Sequence, residues 1–168
     1  MGTFAVQIAK SFGAEVTGVD SAEKLDLVRS IGADHVIDYT QEDFTKNGQL
    51  YDYILDVIMH RSIFDYKRAL SPKGICVIVG GSTGRIFKTM LLAPLLSLFG
   101  SKKVCIVGWK INKKEDLDYI KELIEAGKVV PVIDRCYPLN EVANALRYLE
   151  EEPFLGKVVI TMEHGNKT

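Results

Sequence analysis

The stretch Gly2–Val19, GTFAVQIAKSFGAEVTGV, decides the fold class of this chain. Apolar residues within positions 4–9 recur at the spacing of an amphipathic helix, and Gly13 supplies a stop for that helix. The run Glu15–Val19 that follows is short and rich in β-forming residues. A helix leading directly into a strand is the repeating element of α/β proteins.

The same alternation continues along the chain. We predict strands at residues 35–39, 51–58, 75–79 and 104–107, and helices at residues 22–31, 61–70, 86–98 and 115–126, the first of them capped by Ser21. The strands lack polar alternation, which indicates that both of their faces are covered. We therefore predict an α/β fold of Rossmann type, a doubly wound parallel sheet built from βαβ crossovers.

The pattern changes near residue 112. Beyond that point we predict short strands at residues 129–133 and 157–162, with an amphipathic helix over residues 139–151 between them. The sequence therefore predicts two parts, a dinucleotide-binding domain over residues 1–112 and a different segment over residues 113–168.

The beginning of the chain departs from the Rossmann pattern, which opens on a strand and a glycine-rich turn. Gly2 corresponds to the last glycine of the dinucleotide fingerprint, which lets helix and strand pack closely. In the strand order 3-2-1-4-5-6 the preceding strand is central, so its absence leaves the second and fourth strands with open edges. We expect a fragment or a truncated reading frame, an expectation that cooperative unfolding of the isolated monomer would contradict.

Composition excludes several classes of partner. The 168 residues carry a net charge of −1 and are 47% hydrophobic, which favours neither a nucleic-acid nor an anionic-membrane partner. The longest apolar run, Met90–Phe99, has about half the ~20 residues needed to cross a bilayer. Cys76, Cys105 and Cys136 are widely separated, so no zinc site or disulfide framework is predicted, and the first two lie in apolar runs expected to be buried. A reducing compartment, the cytoplasm, is the expected location.

Asp20 is the first candidate for binding a cofactor. It ends the predicted second Rossmann strand, 18 residues after Gly2. An acidic residue near this position accepts hydrogen bonds from the adenosine ribose and opposes the 2′-phosphate of NADP. Asp20 could instead simply begin a turn at Ser21. Lys24 is placed to reach a 2′-phosphate, to pair with Asp20, or to lie solvated on its helix.

Gly80, Gly81 and Ser82 follow the predicted strand ICVIV. Ligands of open α/β sheets bind beyond the carboxyl ends of strands, so we predict contact with the nicotinamide half of a cofactor, with a plain turn as the alternative. Continued to Gly84, the stretch also matches the G-x-S-x-G motif of hydrolases. That chemistry needs a later histidine, and His164 lies in a polar tail, which disfavours a hydrolase.

Taken together, the blocks of this sequence resemble the medium-chain dehydrogenase/reductase superfamily, and in particular its zinc-independent quinone-reductase-like branch. The matching text is GTFAVQIAKSFGAEVTGV, KLDLVRSIGADHVIDYTQEDF, ALSPKGICVIVGG, ELIEAGKVVPVIDRCYPLNEVANAL and GKVVITM. The resemblance implies a Rossmann domain over residues 1–112 without its first strand, followed by the return of residues 113–168 into a GroES-like catalytic domain. The N-terminal GroES-like part, which holds the metal ligands of zinc-containing relatives, is absent, so no metal is assigned.

The resemblance also implies chemistry, the transfer of a hydride between NAD or NADP and a small quinone, enone, carbonyl or alcohol substrate. Lys24 and Tyr39 match a lysine and a tyrosine that bind the 2′-phosphate region in NADPH-using relatives. Asp20 departs from those relatives, which carry a small or neutral residue there, so the choice between NAD and NADP stays open.

Further positions follow from the resemblance. Gly108 lies in the region that lines the nicotinamide, beside Trp109, which either walls the substrate pocket or is a surface aromatic. Where the family often has a glycine pair, residues 58–60 read Ile-Met-His, which implies a bulkier loop. Family members often dimerise through the sheet edge that corresponds here to Lys103–Val107.

Three hypotheses remain open. The first is the cofactor half of an NAD(P)-dependent reductase, whose parent protein is an enzyme although this chain alone is expected to be inactive. The second is a non-catalytic, dinucleotide-binding remnant of a zinc-type alcohol dehydrogenase relative. A Rossmann-like methyltransferase is the third, and the C-terminal blocks GKVVPVID and GKVVIT disfavour it.

Overall fold

The computed structural model describes residues 1–98, 101–107, 113–151 and 153–162. Its helices are α1 (Gly2–Ser11), α2 (Leu25–Ser30), α3 (Ile63–Ala69), α4 (Thr83–Leu98), α5 (Lys114–Glu125) and α6 (Val142–Glu151), with 3₁₀ turns at Ala22–Lys24 and Leu139–Glu141. Its strands are β1 (Thr17–Asp20), β2 (His35–Asp38), β3 (Tyr51–Asp56), β4 (Leu70–Ile78), β5 (Lys103–Ile106), β6 (Ile133–Pro138) and β7 (Lys157–Thr161).

The strands form separate sheets within these residues. β1 pairs with β2, β3-β4-β5 form a parallel sheet, and β6 and β7 form a parallel pair. When strand 1 is taken out of the Rossmann order 3-2-1-4-5-6, the pairs 3-2 and 4-5-6 are left. The sheets β2-β1 and β3-β4-β5 reproduce that pairing. The predicted α/β class with parallel sheets is therefore confirmed.

The chain divides into two compact units. One contains residues 1–18, 22–36 and 119–168, and the other contains residues 19–21 and 37–118. The predicted division at residue 112 concerns the domains of a parent protein and stays a prediction.

The core of the second unit lies on one face of the β3-β4-β5 sheet. Ile54, Cys76 and Val104 are in register on that face and are buried against α3, whose Tyr66 is fully buried. On the opposite face of β3, Tyr53 is 76% exposed. The expectation that both faces are covered is wrong for β3 within this unit, because the crossover helices of one hand pack on a single face.

Cysteine burial differs from the expectation at one position. Cys76 is buried, and burial raises the pKa of its thiol to about 12. Cys105 is exposed, because alternate residues of a strand face opposite sides of the sheet and its side chain lies on the uncovered side. Cys136 is also exposed.

Several predicted element boundaries move, and two of them do so for reasons visible in the local hydrogen bonds. The strand predicted over residues 51–58 ends at Asp56, since the carboxylate of that residue takes up the next backbone N–H groups. The helix predicted after Ser21 opens with a 3₁₀ turn, and α2 begins at Leu25 with Lys24 as its N-cap. Ser21 is therefore not the cap of α2.

The strand predicted over residues 129–133 is not formed, and β6 begins only at Ile133. The side-chain amide of Gln7 takes the place of a neighbouring strand at Val130. Its Oε1 accepts from Val130 N at 2.7 Å, and its Nε2 donates to Val130 O at 2.9 Å. Pro131, which follows, has no N–H to give to a strand ladder.

We expect replacement of Gln7 by Leu to lower the free energy of unfolding by about 1–3 kcal/mol. The reason is that the N–H and C=O of Val130 would lose their partner while Gln7 itself is only 8% exposed. Urea unfolding of the chain measures the effect. The control is Gln41→Leu at an exposed position, and equal losses in both variants would contradict the assignment.

No helix in the described part of the chain is long and apolar enough to cross a membrane.

Candidate functional site

The ends of β1 and β2 bring together three residues that the sequence singles out. Asp20 is the last residue of β1, and its Oδ1 accepts from Ser21 N at 2.9 Å. Tyr39 follows β2, and its backbone N donates to Asp20 O at 3.2 Å. The Tyr39 side chain is 52% exposed. The backbones of Asp20 and Tyr39 are therefore joined where the chain leaves these two strands, and the Tyr39 side chain there is accessible.

Lys24 lies in the 3₁₀ turn after β1. Its Nζ is 5.3 Å from the centroid of the Phe154 ring, a cation–π contact worth about 0.5–1 kcal/mol at an exposed site. Neither Lys24 nor Asp20 takes part in an ion pair among the described residues. A charge-assisted bond to phosphate is stronger than the contact with Phe154 and could displace it.

Gly2 is the first residue of α1, with Met1 as the N-cap. A Cβ built on Gly2 meets no atom within 4 Å, so the described residues show no close packing partner there. The free N–H groups of a helix N-terminus suit a phosphate. The fingerprint role of Gly2 stays a prediction.

The turn after β4 carries the glycine pair. Ser82 precedes α4, and its carbonyl accepts from the N–H groups of Arg85 and Ile86. A Cβ on Gly80 would lie 2.8 Å from Val57 O, and a Cβ on Gly81 would lie 2.8 Å from the Cβ of Met59. The two glycines therefore let this turn lie against the segment that follows β3. Their contact with a cofactor stays a prediction.

Asp56 shapes the segment that follows β3, residues 57–60, which we call the β3 loop. Its Oδ1 accepts from Ile58 N at 2.9 Å and from Met59 N at 2.7 Å. The hydroxyl of Tyr66 donates to the other carboxylate oxygen. Burial, together with the Asp56 carboxylate, raises the pKa of Tyr66 well above its usual value, so this hydroxyl remains a donor.

Arg85 holds the same loop from α4. Its Nη1 donates to Met59 O and to His60 O, each at 2.8 Å. Met59 is 4% exposed and has a φ of 57°, a left-handed conformation that is rare outside glycine. The bulkier residue that the sequence shows at this position thus turns its side chain into the unit.

The sequence did not point to Asp56, Tyr66 or Arg85. Asp56 carried one usable signal, since it is a polar residue within an apolar run at the point where a strand can end. Arg85 carried none, because only the folded chain shows that it reaches two carbonyl groups 25 and 26 positions away.

Some residues that the sequence analysis discusses lie outside the described part of the chain. Gly108 and Trp109 lie outside the described residues, as does His164. Elsewhere in the described chain, no group of three His, Cys, Asp or Glu side chains could hold a metal ion. The residues therefore do not fit a zinc site, and we derive no step through zinc.

Parallel strands joined by helices, with glycines and polar groups after the strands, define the class of Rossmann-type α/β proteins. A family model described as zinc-binding dehydrogenase matches residues 31–160. The chain therefore belongs to the zinc-binding dehydrogenase family, within the medium-chain dehydrogenase/reductase superfamily that the sequence predicted.

Curated relatives agree. The chain is 32% identical to the mouse protein named NAD(P)H oxidoreductase RTN4IP1, mitochondrial, over 96% of this chain and 45% of that one. It is 34% identical to the Arabidopsis thaliana protein named NADPH-dependent alkenal/one oxidoreductase, chloroplastic, over 95% of this chain and 37% of that one. The chain thus spans about half the length, or less, of the curated relatives it matches.

Solved structures show the same fold. A putative alcohol dehydrogenase from Sinorhizobium meliloti 1021 matches with a TM-score of 0.72 and 30% identity, over 92% of this chain and 46% of that one. The quinone oxidoreductase from Coxiella burnetii matches with a TM-score of 0.74 and 24% identity, over 95% of this chain and 48% of that one. The second likeness concerns the fold alone.

Proposed function

We propose that this chain is the cofactor-binding part of an NAD(P)-dependent oxidoreductase. The observation that carries the proposal is the placement of Asp20, Ser21 and Tyr39 together beyond the ends of neighbouring strands. In Rossmann-type sheets dinucleotides bind beyond the carboxyl ends of the strands. The printed names of the mouse and Arabidopsis relatives, both oxidoreductases that use NAD(P)H or NADPH, support it.

The residues proposed to hold the adenosine end of a nicotinamide dinucleotide are Asp20, Ser21 and Tyr39, with Lys24 and Gly2 proposed to contact phosphate. In this proposal the Asp20 carboxylate accepts hydrogen bonds from ribose hydroxyl groups, and the exposed Tyr39 side chain offers a ring and a phenol. Lys24 is proposed to supply a positive charge for a 2′-phosphate, and Gly2 is proposed for phosphate binding because it begins α1. NADP and NAD both stay candidates.

At the other end, the turn Gly80-Gly81-Ser82 is proposed to contact the nicotinamide half, with Gly108 completing that side. When bound, the nicotinamide supplies or accepts the hydride, and the protein orients it. The substrate is proposed to be a small quinone, enone, carbonyl or alcohol. No residue of this chain is assigned as catalytic.

The proposed organisation is a Rossmann domain over residues 1–112, followed by a segment of a catalytic domain over residues 113–168. The competing proposal is a non-catalytic remnant that binds dinucleotide. It draws on the same Rossmann-type fold.

Titration of the chain with NADH and with NADPH tests the proposal. Isothermal titration calorimetry is expected to show saturable binding of at least one of the two dinucleotides. The adenosine fragments 5′-AMP or 2′,5′-ADP are expected to bind to the same site. Competition between fragment and dinucleotide distinguishes a site from surface adsorption. Failure of both dinucleotides to bind would overturn the proposal.

A homodimer through the outer edge of β5 is also proposed. β5 pairs with β4 on one side only among the described strands, and it lies within Lys103–Val107, the edge through which family members often dimerise. Sedimentation equilibrium is expected to give twice the chain mass, and a monomer at all concentrations would contradict this edge.

A reducing compartment, the cytoplasm, stays the proposed location. Free thiols at Cys76, Cys105 and Cys136 support it. The printed names place the mouse relative in mitochondria and the Arabidopsis relative in chloroplasts.

A further inference from the structure

The β3 loop contains a conformation that needs external support. Met59 has a φ of 57°, and a non-glycine residue held in this region costs of order 1–3 kcal/mol. Such residues persist where surrounding contacts over-determine them, and they cluster at ligand-binding sites. The contacts around Met59 therefore call for an explanation beyond packing.

Two charged side chains hold the backbone of the loop, one through its N–H groups and the other through its carbonyl groups. The Asp56 carboxylate accepts from the N–H groups of Ile58 and Met59, at 2.9 and 2.7 Å. The Arg85 guanidinium donates to the carbonyl groups of Met59 and His60, both at 2.8 Å. Hydrogen bonds to charged groups are stronger than neutral ones, so donors and acceptors of this short loop are fixed together.

We call Asp56 and Arg85 together the clamp. The clamp is itself fixed by neighbouring side chains, so the loop has one position. Asp56 is held by the buried hydroxyl of Tyr66. The Met59 side chain meets the glycine turn, since a Cβ on Gly81 would lie 2.8 Å from its Cβ. Thr89 of α4, which is 1% exposed, donates to the Met59 sulfur at 3.8 Å. The β3 loop and the turn after β4 are thereby held as one surface.

We propose that Asp56 and Arg85 are positioning residues that hold the β3 loop against the Gly80-Gly81 turn and so preform the wall for the nicotinamide half of the cofactor. The inference rests on the proposed function. Because a preformed wall spares the cost of ordering the loop on binding, it increases affinity for the part of the ligand that touches it. The adenosine half, which is proposed to bind near Asp20 and Tyr39, gains nothing from this clamp.

The experiment compares whole dinucleotides with adenosine fragments on the full chain. We expect Arg85→Met to weaken whichever of NADH and NADPH binds by about tenfold, while the affinity for 5′-AMP or 2′,5′-ADP changes by less than about twofold. Arg85→Lys keeps an ammonium that can donate to both carbonyl groups, and we expect it to restore most of the affinity. Arg85 is exposed, so these variants should keep the fold.

Arg29→Met is the matched control, because Arg29 is also exposed and its ion pair with Asp26 lies on α2. Hydrogen exchange supplies a readout that needs no cofactor. In Arg85→Met and Asp56→Asn, the amides of Ile58 and Met59 are expected to exchange at least about tenfold faster, while those of β4 keep their protection.

The outcomes separate the two proposals. Binding of neither dinucleotide to the unaltered chain overturns the proposed function and the cofactor role of the clamp with it, even where the exchange data show the clamp itself. Dinucleotide binding that Arg85→Met leaves unchanged, or that weakens equally with the fragments, overturns the positioning role alone. Unchanged exchange at Ile58 and Met59 also overturns it.

Discussion

Gly81→Ala is expected to lower the free energy of unfolding by about 2–4 kcal/mol. The added Cβ would lie 2.8 Å from the Cβ of Met59, and Gly81 has a φ of +156°. Met59 cannot easily withdraw, since Asp56 and Arg85 hold its backbone on both sides. The overlap must therefore move the turn or the β3 loop. Urea unfolding of the chain gives the magnitude.

The cause is separated from general damage by a double-mutant cycle. In a Met59→Gly background the clashing side chain is gone, so Gly81→Ala should cost about 1–3 kcal/mol less than in the unaltered chain. The control is Gly84→Ala, three residues along in α4, where a Cβ meets no atom within 4 Å. That variant should stabilise the chain by about 0.5–1 kcal/mol. Equal costs of Gly81→Ala in both backgrounds would show that the contact with Met59 is not responsible.

The fold class could be predicted because it depends on patterns local to the sequence. The apolar run ICVIV lies within β4, and helical spacing predicts the crossovers between strands. The replacement of a neighbouring strand by the Gln7 side chain at Val130 could not be predicted in this way. The run around Val130 is apolar and β-branched, as a strand is, and only Pro131 argues against one, yet the backbone of Val130 bonds to the side chain of Gln7, 123 positions away.

The candidate site also has residues that the sequence predicts and residues that only the folded chain brings together. Asp20 and Tyr39 could be found because each ends an apolar run, and strand ends of a parallel sheet meet at one edge. The clamp of Asp56 and Arg85 depends on the contact of a helix with a loop, which no spacing encodes. The sequence marked the β3 loop only as a departure from the family. The structure gives the departure a physical form, a buried methionine in a left-handed conformation.

Asp20→Ser is expected to change the cofactor preference, raising the affinity for NADPH relative to NADH by about 10- to 100-fold. The 2′-phosphate carries a charge of about −1.5 to −2 at neutral pH. Two unit charges 4 Å apart interact by about 1 kcal/mol in water and about 4 kcal/mol near a protein surface. Removing the Asp20 carboxylate removes that repulsion from NADPH. The same change takes a charged acceptor from the ribose of NADH, which loses affinity.

Calorimetric titration of both cofactors at low and at physiological ionic strength measures the change. Exposed charges are screened over about 8 Å at 0.15 M salt, so the gain for NADPH should shrink as salt is added. Glu23→Gln is the matched control, because it removes the same charge from an exposed position three residues further on. A ratio that shifts equally in both variants would mean that net charge, not the place of Asp20 at the end of β1, sets the preference. A ratio that Asp20→Ser leaves unchanged would remove Asp20 from the proposed cofactor site.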